Sequence, residues 1–269
     1  MQIIFDLART SIVLLFLFYA SWSDYKTREV SNKVWLLFGP LALVLTATEL
    51  VLYDAPDLLP YAICFGVTAS FAVLLFYGGG FGGADAKALM CLAFALPFYP
   101  GRLLTPITHQ VSLIAENFFP ISVFTNSVLF AALTAVAMLF YNLVRRLNTH
   151  EALFQGDHER ESLGKKILVL LTGYKVPVEE LKKKWHVYPM EDMEKNEEGQ
   201  LKRRLVILPR DEGRKEIVER IDEAVKSGAI PNSIWATPGL PMLIFILAGL
   251  ITALFFGDII WTFIGLVLR

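Results

Sequence analysis

Two aspartates sit where chemistry could be done. Asp24 lies in SWSDYKTREVSNKVW and Asp85 in FYGGGFGGADAKALM, each at the junction of a long apolar run and a short polar stretch. A carboxylate at membrane depth is costly and usually faces a protein interior or a wet cavity. Two carboxylates at one depth can share a proton, so that one activates a water while the other protonates a leaving amine. The residues before Asp85 suit such a site. Gly82 and Gly83 carry no side chain, so with Ala84 they form a loop that can turn tightly and admit another chain. At a helix start Asp85 also meets positive dipole charge, which favours its anion. The same residues admit a structural reading. Asp24 can balance Lys26 and Arg28, and Asp85 can cap the helix after it.

The elements that must position these groups are apolar. Of 269 residues, 55% are hydrophobic and only 19% charged, with a net charge of −1. A soluble domain of this length carries more charge. Most of the charge falls between about Arg145 and Lys226. The composition describes an all-α polytopic membrane protein with about six transmembrane helices and one small α+β insert. The near-neutral balance offers nothing to nucleic acid. A span needs about 20 apolar residues, and the candidates are Ile3–Trp22, Val34–Tyr53, Leu58–Tyr77, Ala86–Pro97, Ile121–Val144 and Leu240–Leu268. The fourth is short: either a half-depth helix or one that extends past Pro97. The expected division is residues 1–144 with five helices and both aspartates, 145–236 as the soluble insert, and 237–269 as the sixth helix.

Orientation comes from Lys and Arg in short loops. Lys26, Arg28, Lys33, Lys87, Arg145 and Arg146 fall on one face if the N-terminus is outside, with Arg102 alone on the opposite side, so that face is read as cytoplasmic and the insert with it. The first apolar run is read as a retained span, because Asp6 precedes it and the basic residues come after it. In the insert, KKILVLLTGYKV reads as a strand or short helix. WHVYPM and LKRRLVILP read as a hairpin across the polar EDMEKNEEGQ. Ile217, Ile221 and Val225 recur at helical spacing, with Gly228 as a stop.

Other ionisable groups attract quieter readings. Asp6, Glu49 and Asp258 fall near the outer span ends and read as wet at the interface. Lys87, two residues past Asp85, reads as a snorkelling anchor. Cys64 and Cys91 read as small buried hydrophobes. His109 and His186 are far from either aspartate, and no metal-ligand spacing or Gly-x-Ser-x-Gly occurs. Pro238, Gly239 and Pro241 mark either a simple helix start or an unwound segment lining a site.

GGADAK after a span, with SDYKTREVSN upstream, resembles the type IV prepilin peptidase family, and within it the archaeal preflagellin (archaellin) and prepilin peptidases. The family's Gly-x-Gly-Asp motif appears in loose form as Gly82-Gly83-Ala84-Asp85. Its other aspartate context is matched by Asp24, Arg28, Ser31 and Asn32, and WATPGLPMLI also looks like the archaeal pattern. The resemblance covers both motifs and all six spans but not the insert in detail. It implies an aspartic endopeptidase of the GxGD type with Asp24 and Asp85 catalytic, and with Gly82, Gly83 and Ala84 as the loop beside the substrate. It implies no metal or other cofactor. The implied partners are archaellin or pilin-like precursors with a short basic leader, in the plasma membrane, cut at its cytoplasmic face. The cysteine-rich insert of bacterial relatives is absent, and by implication so is their methylating activity. The alternative reading is a small transporter or channel using the two aspartates as ion or proton relays. It expects repeats between halves and ionisable groups near the midplane, and the sequence offers neither.

Overall fold

The structure is a computed structural model that describes residues 1–53, 55–195, 201–207 and 213–267. In chain order its elements are α1 (Gln2–Thr27), α2 (Asn32–Tyr53), α3 (Leu58–Tyr77), α4 (Gly83–Ala95), α5 (Leu113–Asn117), α6 (Phe119–Thr149), α7 (Leu163–Thr172), β1 (Tyr174–Val176), α8 (Val178–Lys183), β2 (Val187–Pro189), β3 (Glu191–Lys195), β4 (Leu201–Leu205), α9 (Arg214–Lys226), β5 (Ile234–Pro238), α10 (Met242–Phe256) and α11 (Ile259–Val267). They form two compact units, Met1–Ala131 with Pro241–Arg269, and Ala132–Leu240.

The first unit is a helical bundle around α4. Helices α2 and α3 pack closely on α4, which also touches α1 and α10, and α1 packs on α2 and α10. The composition of α4 explains its central place. Ala86, Ala88, Ala93 and Ala95 are all buried beside Leu89, Cys91 and Leu92, and small residues let helix backbones approach where lipid offers no hydrophobic drive to associate. Gly249 does the same for α10: a Cβ there would lie 2.2 Å from Ser127 Oγ and 2.5 Å from the Val123 carbonyl of α6. Large apolar side chains such as Phe18, Leu36, Leu37 and Leu74 project outward, as lipid contact requires.

Helices α1, α2, α3 and α6 are each long and apolar enough to cross a membrane, and the bent pair α10–α11 makes a fifth span if counted as one. The chain is a multi-pass membrane protein. The helical, polytopic architecture is the expected one; the fourth span takes the first of its two expected forms, and the last span differs. Helix α4 stops at Ala95, so its 13 residues rise about 20 Å against a hydrocarbon core of about 30 Å. It is a half-depth helix, buried in the bundle. The last span, read as one run, breaks at Gly257 with a bend of 50°. Gly257 takes φ 78° and ψ −155°, a region open to glycine. Neighbours satisfy the freed backbone: Asn126 Nδ2 donates to the Gly257 carbonyl (3.0 Å) and Asn126 Oδ1 accepts the Ile259 N–H (3.1 Å). Asp258 caps α11, accepting from Ser122 Oγ and from the Trp261 N–H, both at 3.1 Å.

The three acidic residues read as wet are in fact buried, with Asp6 3%, Glu49 2% and Asp258 3% exposed. Arg9 pairs with Asp6 and, at 2.7 Å, with Glu49 Oε2, while Arg102 Nη1 reaches Glu49 Oε1 at 2.9 Å. Pairing is what lets these charges leave water.

In the second unit β5 is the centre of a three-stranded antiparallel sheet of order β1-β5-β2, with Tyr174 opposite Ala236 and Tyr188 opposite Thr237. Strands β3 and β4 make a separate antiparallel hairpin, Glu191 opposite Leu205. The expected hairpin between WHVYPM and LKRRLVILP is therefore wrong. The polar segment EDMEK is itself a strand, and it pairs with LKRRL. Its connection, residues 196–200, lies outside the described residues. The ambiguous KKILVLLTGYKV divides into α7 and β1. Helix α9 is where the periodicity put it, with Gly228 at φ 74° beyond its end. Of the three residues read as its inner face Ile221 is buried, while Ile217 and Val225 are partly buried and Val218 and Ala224 are buried beside them.

Candidate active site

Asp24 stands in the last turn of α1. Ser23, Thr27 and Arg28 shape the turn beyond it. Ser23 Oγ and Thr27 Oγ1 both donate to the Glu29 carbonyl, at 2.7 and 3.0 Å. Arg28, left-handed at φ 57°, donates its N–H to the Asp24 carbonyl and ends the helix. The chain then reverses into α2, which begins at Asn32.

Asp85 is reached through the glycine loop, and the five glycines do different jobs. Gly79 has φ +74° and closes α3, with the Gly80 and Phe81 N–H groups both returning to the Leu75 carbonyl (2.9 and 3.1 Å). This is the left-handed helix stop that glycine favours. Phe81 is buried, edge-on to Phe124 at 5.6 Å between ring centroids, and anchors the loop. Gly82 is the N-cap of α4, and its N–H donates to Asp85 Oδ2 at 3.0 Å. That is one half of a capping box; glycine has no side chain to supply the other. A Cβ on Gly82 would stand 3.1 Å from Asp85 Oδ2, whereas one on Gly83 would meet only Phe76 Cε2 at 3.6 Å. Gly83 and Ala84 are the first two helical residues, ahead of Asp85.

The packing of α1 on α4 brings the two aspartates within electrostatic reach of each other. A third element joins them. Ser21 Oγ donates to the Leu243 carbonyl (2.8 Å), and the Leu243 N–H interacts with the Asp24 carboxylate. Leu243 is in the first turn of α10, where unpaired N–H groups and the helix dipole favour an anion. Sequence reasoning singled out Pro238, Gly239 and Pro241 but missed Leu243. Of the two readings of those residues, the structure selects one. Strand β5 ends at Pro238, and Pro241 caps α10, a plain helix start. The Pro-Gly-x-Pro signal before an apolar run was the available clue to it.

Lys87 is no free anchor. Its Nζ donates to Asn32 Oδ1 at 2.7 Å, tying the first turn of α4 to the first residue of α2. An apolar groove of about 410 Å³ runs beside this end of α1 and α2, lined by Phe16, Tyr19, Ser31, Lys33, Val34 and Leu37. Asp6 and Arg9 line another cavity, of about 430 Å³. It lies at the other end of α1, about 27 Å of helix from Asp24. Among the described residues no group of three or more His, Cys, Asp or Glu side chains is placed to hold a metal ion.

A multi-pass helical protein with two carboxylates within electrostatic reach of each other at helix ends, and with a small α+β unit in the same chain, is the class these features define. Comparison with known proteins gives it a family. The profile of the type IV leader peptidase family matches residues 11–147, half of the chain, and that of the archaeal peptidase A24 C-terminus, type II, matches residues 165–259. The chain belongs to the type IV leader peptidase family and is thus a protease. It is similar to the preflagellin peptidases of Methanococcus maripaludis (23% identical over 253 residues) and Methanococcus voltae (25% over 255), each alignment covering 92% of this chain and 94% of the relative. The preflagellin peptidase of Methanocaldococcus jannaschii is 25% identical over 173 residues, 62% of this chain and 67% of that one.

Proposed function

We propose that this chain is an aspartic leader peptidase of the GxGD type that removes the short basic leader from archaellin precursors, or from pilin-like ones. The observation that carries the reading is the approach of Asp24 and Asp85, from two helices, beside the first turn of α10. Family membership and the preflagellin peptidases among its relatives support the substrate. One carboxylate acts as general base on a water, and its protonated partner hydrogen-bonds the scissile carbonyl and then supplies a proton to the leaving amine. The two titrate as a coupled pair, so the roles belong to the pair until substrate distinguishes them. Gly82 keeps the Asp85 carboxylate uncrowded, and the Leu243 N–H at the start of α10 offers the Asp24 carboxylate a hydrogen bond.

The basic residues at the ends of α1 and α6 support a cytoplasmic site in the plasma membrane. The test is to incubate the purified protein with a panel of archaellin and pilin precursors and sequence the new N-termini. A single cut between a basic leader and the apolar helix is expected. Intact precursors, under conditions where the protein remains folded, would refute the assignment.

A further inference from the structure

The second unit holds a small cavity that the peptidase reading does not use. It has a volume of about 100 Å³ and is lined by Gln155, His158, Lys175, Arg203, Ser233 and Trp235. Two of these are fully buried side chains, His158 at 2% and Trp235 at 1% exposure. His158 Nε2 and Trp235 Nε1 have no hydrogen-bond partner in the protein. Glu191 Oε2 is 3.7 Å from His158 Nε2, too far for a hydrogen bond. Orphaned buried polar groups are rare because they forfeit their hydration. Two on one cavity wall point to a polar guest.

The donors decide what kind of guest. A single water needs only about 10–15 Å³, so this cavity is too large for one. Trp, Lys and Arg can only donate, and a wall rich in such groups is met best by a guest that only accepts. The carboxylates nearby do not fill that role. Glu191 is satisfied, its Oε1 accepting the Trp235 backbone N–H (2.7 Å) and its Oε2 held by Arg203 Nε and Nη2 at 3.1 and 2.5 Å. Glu151 is exposed at the rim. Lys175 Nζ lies 5.6 Å from the Trp235 ring centroid, and Trp235 in turn stacks on Phe154. A second small hollow shares Lys175 and Trp235 and adds Arg145 and Arg146. Burial first, then the Arg145 guanidinium, hold Lys175 below the ordinary lysine value although Glu151 and Glu191 pull it the other way, a cost that a bound anion would reduce.

We propose that this cavity binds a phosphate oxyanion, held by Lys175, Arg203, the Trp235 indole N–H and His158. The phosphate is inorganic or is the headgroup of an anionic lipid, and two arms of one experiment separate them. The full chain is placed in nanodiscs of phosphatidylcholine and titrated with inorganic phosphate by calorimetry, with sulfate, acetate and chloride as controls. A parallel set adds phosphatidic acid and reads the unfolding temperature. Saturable binding of one phosphate per chain, weakened at least about tenfold by Lys175→Met and by Trp235→Phe, supports a free-phosphate site. Stabilisation by phosphatidic acid that Lys175→Met removes, without phosphate binding, supports the lipid source. Lys175→Met keeps the aliphatic stem, and its unfolding temperature without ligand checks its fold. If neither ligand distinguishes wild type from Lys175→Met, the cavity holds water and the proposal fails. Equal binding of acetate or chloride also overturns it.

Discussion

Gly82 and Gly83 are neighbours, yet the structure gives them different sensitivity. A Cβ on Gly82 would sit 3.1 Å from Asp85 Oδ2, against the same oxygen that accepts the Gly82 N–H at 3.0 Å. Relief requires the carboxylate to move by a few tenths of an ångström. A hydrogen bond to a charged group contributes about 1.5–3 kcal/mol; losing the lower end of that range at the transition state slows turnover about tenfold. Gly82→Ala is therefore expected to lower kcat about tenfold. Gly82→Val, with two further methyls, should approach the hundredfold typical of a displaced catalytic group. At Gly83 the added carbon makes an ordinary 3.6 Å contact with Phe76. Alanine is also the better helix former, by up to about 1 kcal/mol, so Gly83→Ala should leave kcat within about threefold and the unfolding temperature unchanged or raised. The assay is single-turnover cleavage of a purified precursor, with thermal unfolding in the same detergent. Full activity in Gly82→Ala together with a large loss in Gly83→Ala would refute the reasoning.

Charges elsewhere in the molecule give further tests. Glu49→Gln weakens the pairing of Arg9, which keeps Asp6, and of the part-exposed Arg102 and should destabilise the bundle by about 1–3 kcal/mol; thermal unfolding reads it, and kcat should hold. His158 is kept neutral by burial first and by Arg203 next, its pKa lowered from 6.5 to about 4. The unfolded chain therefore binds the proton more readily, and stability should fall as pH drops from about 6.5 and level off below about 4. His158→Gln should flatten that slope in unfolding curves taken across the range. Ser227→Cys, at the exposed end of α9, should resist an impermeant thiol reagent on intact cells and react after permeabilisation; labelling of intact cells would invert the orientation.

The bundle was legible because long apolar runs admit few alternatives, and both aspartates were legible because a carboxylate at a span end is expensive. What escaped notice was polar pairing across distance. Asp6 had a local clue in Arg9, one helical turn on, but Glu49 and Asp258 read as wet because nothing local in the sequence shows that Arg9 and Arg102 meet the first and Ser122 the second. EDMEK read as a loop because Glu191 is as polar as any turn residue; only Arg203, twelve residues on, turns it into an inward strand position. Helix α4 was ambiguous between a half-depth helix and one running past Pro97 because its apolar run falls short of a full span, and the end of the helix at Ala95 decides. The glycines read as one permissive loop, whereas only Gly79 needs a left-handed backbone and only Gly82 lies against the carboxylate. Leu243 could not be found by type at all, since it acts through its backbone N–H.

The central claim is that Asp24 and Asp85 act as one unit. The most direct measurement is single-turnover cleavage of an archaellin precursor by Asp24→Asn and by Asp85→Asn, with unfolding temperatures recorded on the same samples. Asparagine keeps the size and can still accept the Gly82 N–H, so the fold should survive and both variants should unfold within a few degrees of wild type. Members of a catalytic unit fail together, so each substitution should slow cleavage by at least about a thousandfold, and the double variant should be little slower than either. Near-wild-type cleavage by either folded single variant would contradict the account.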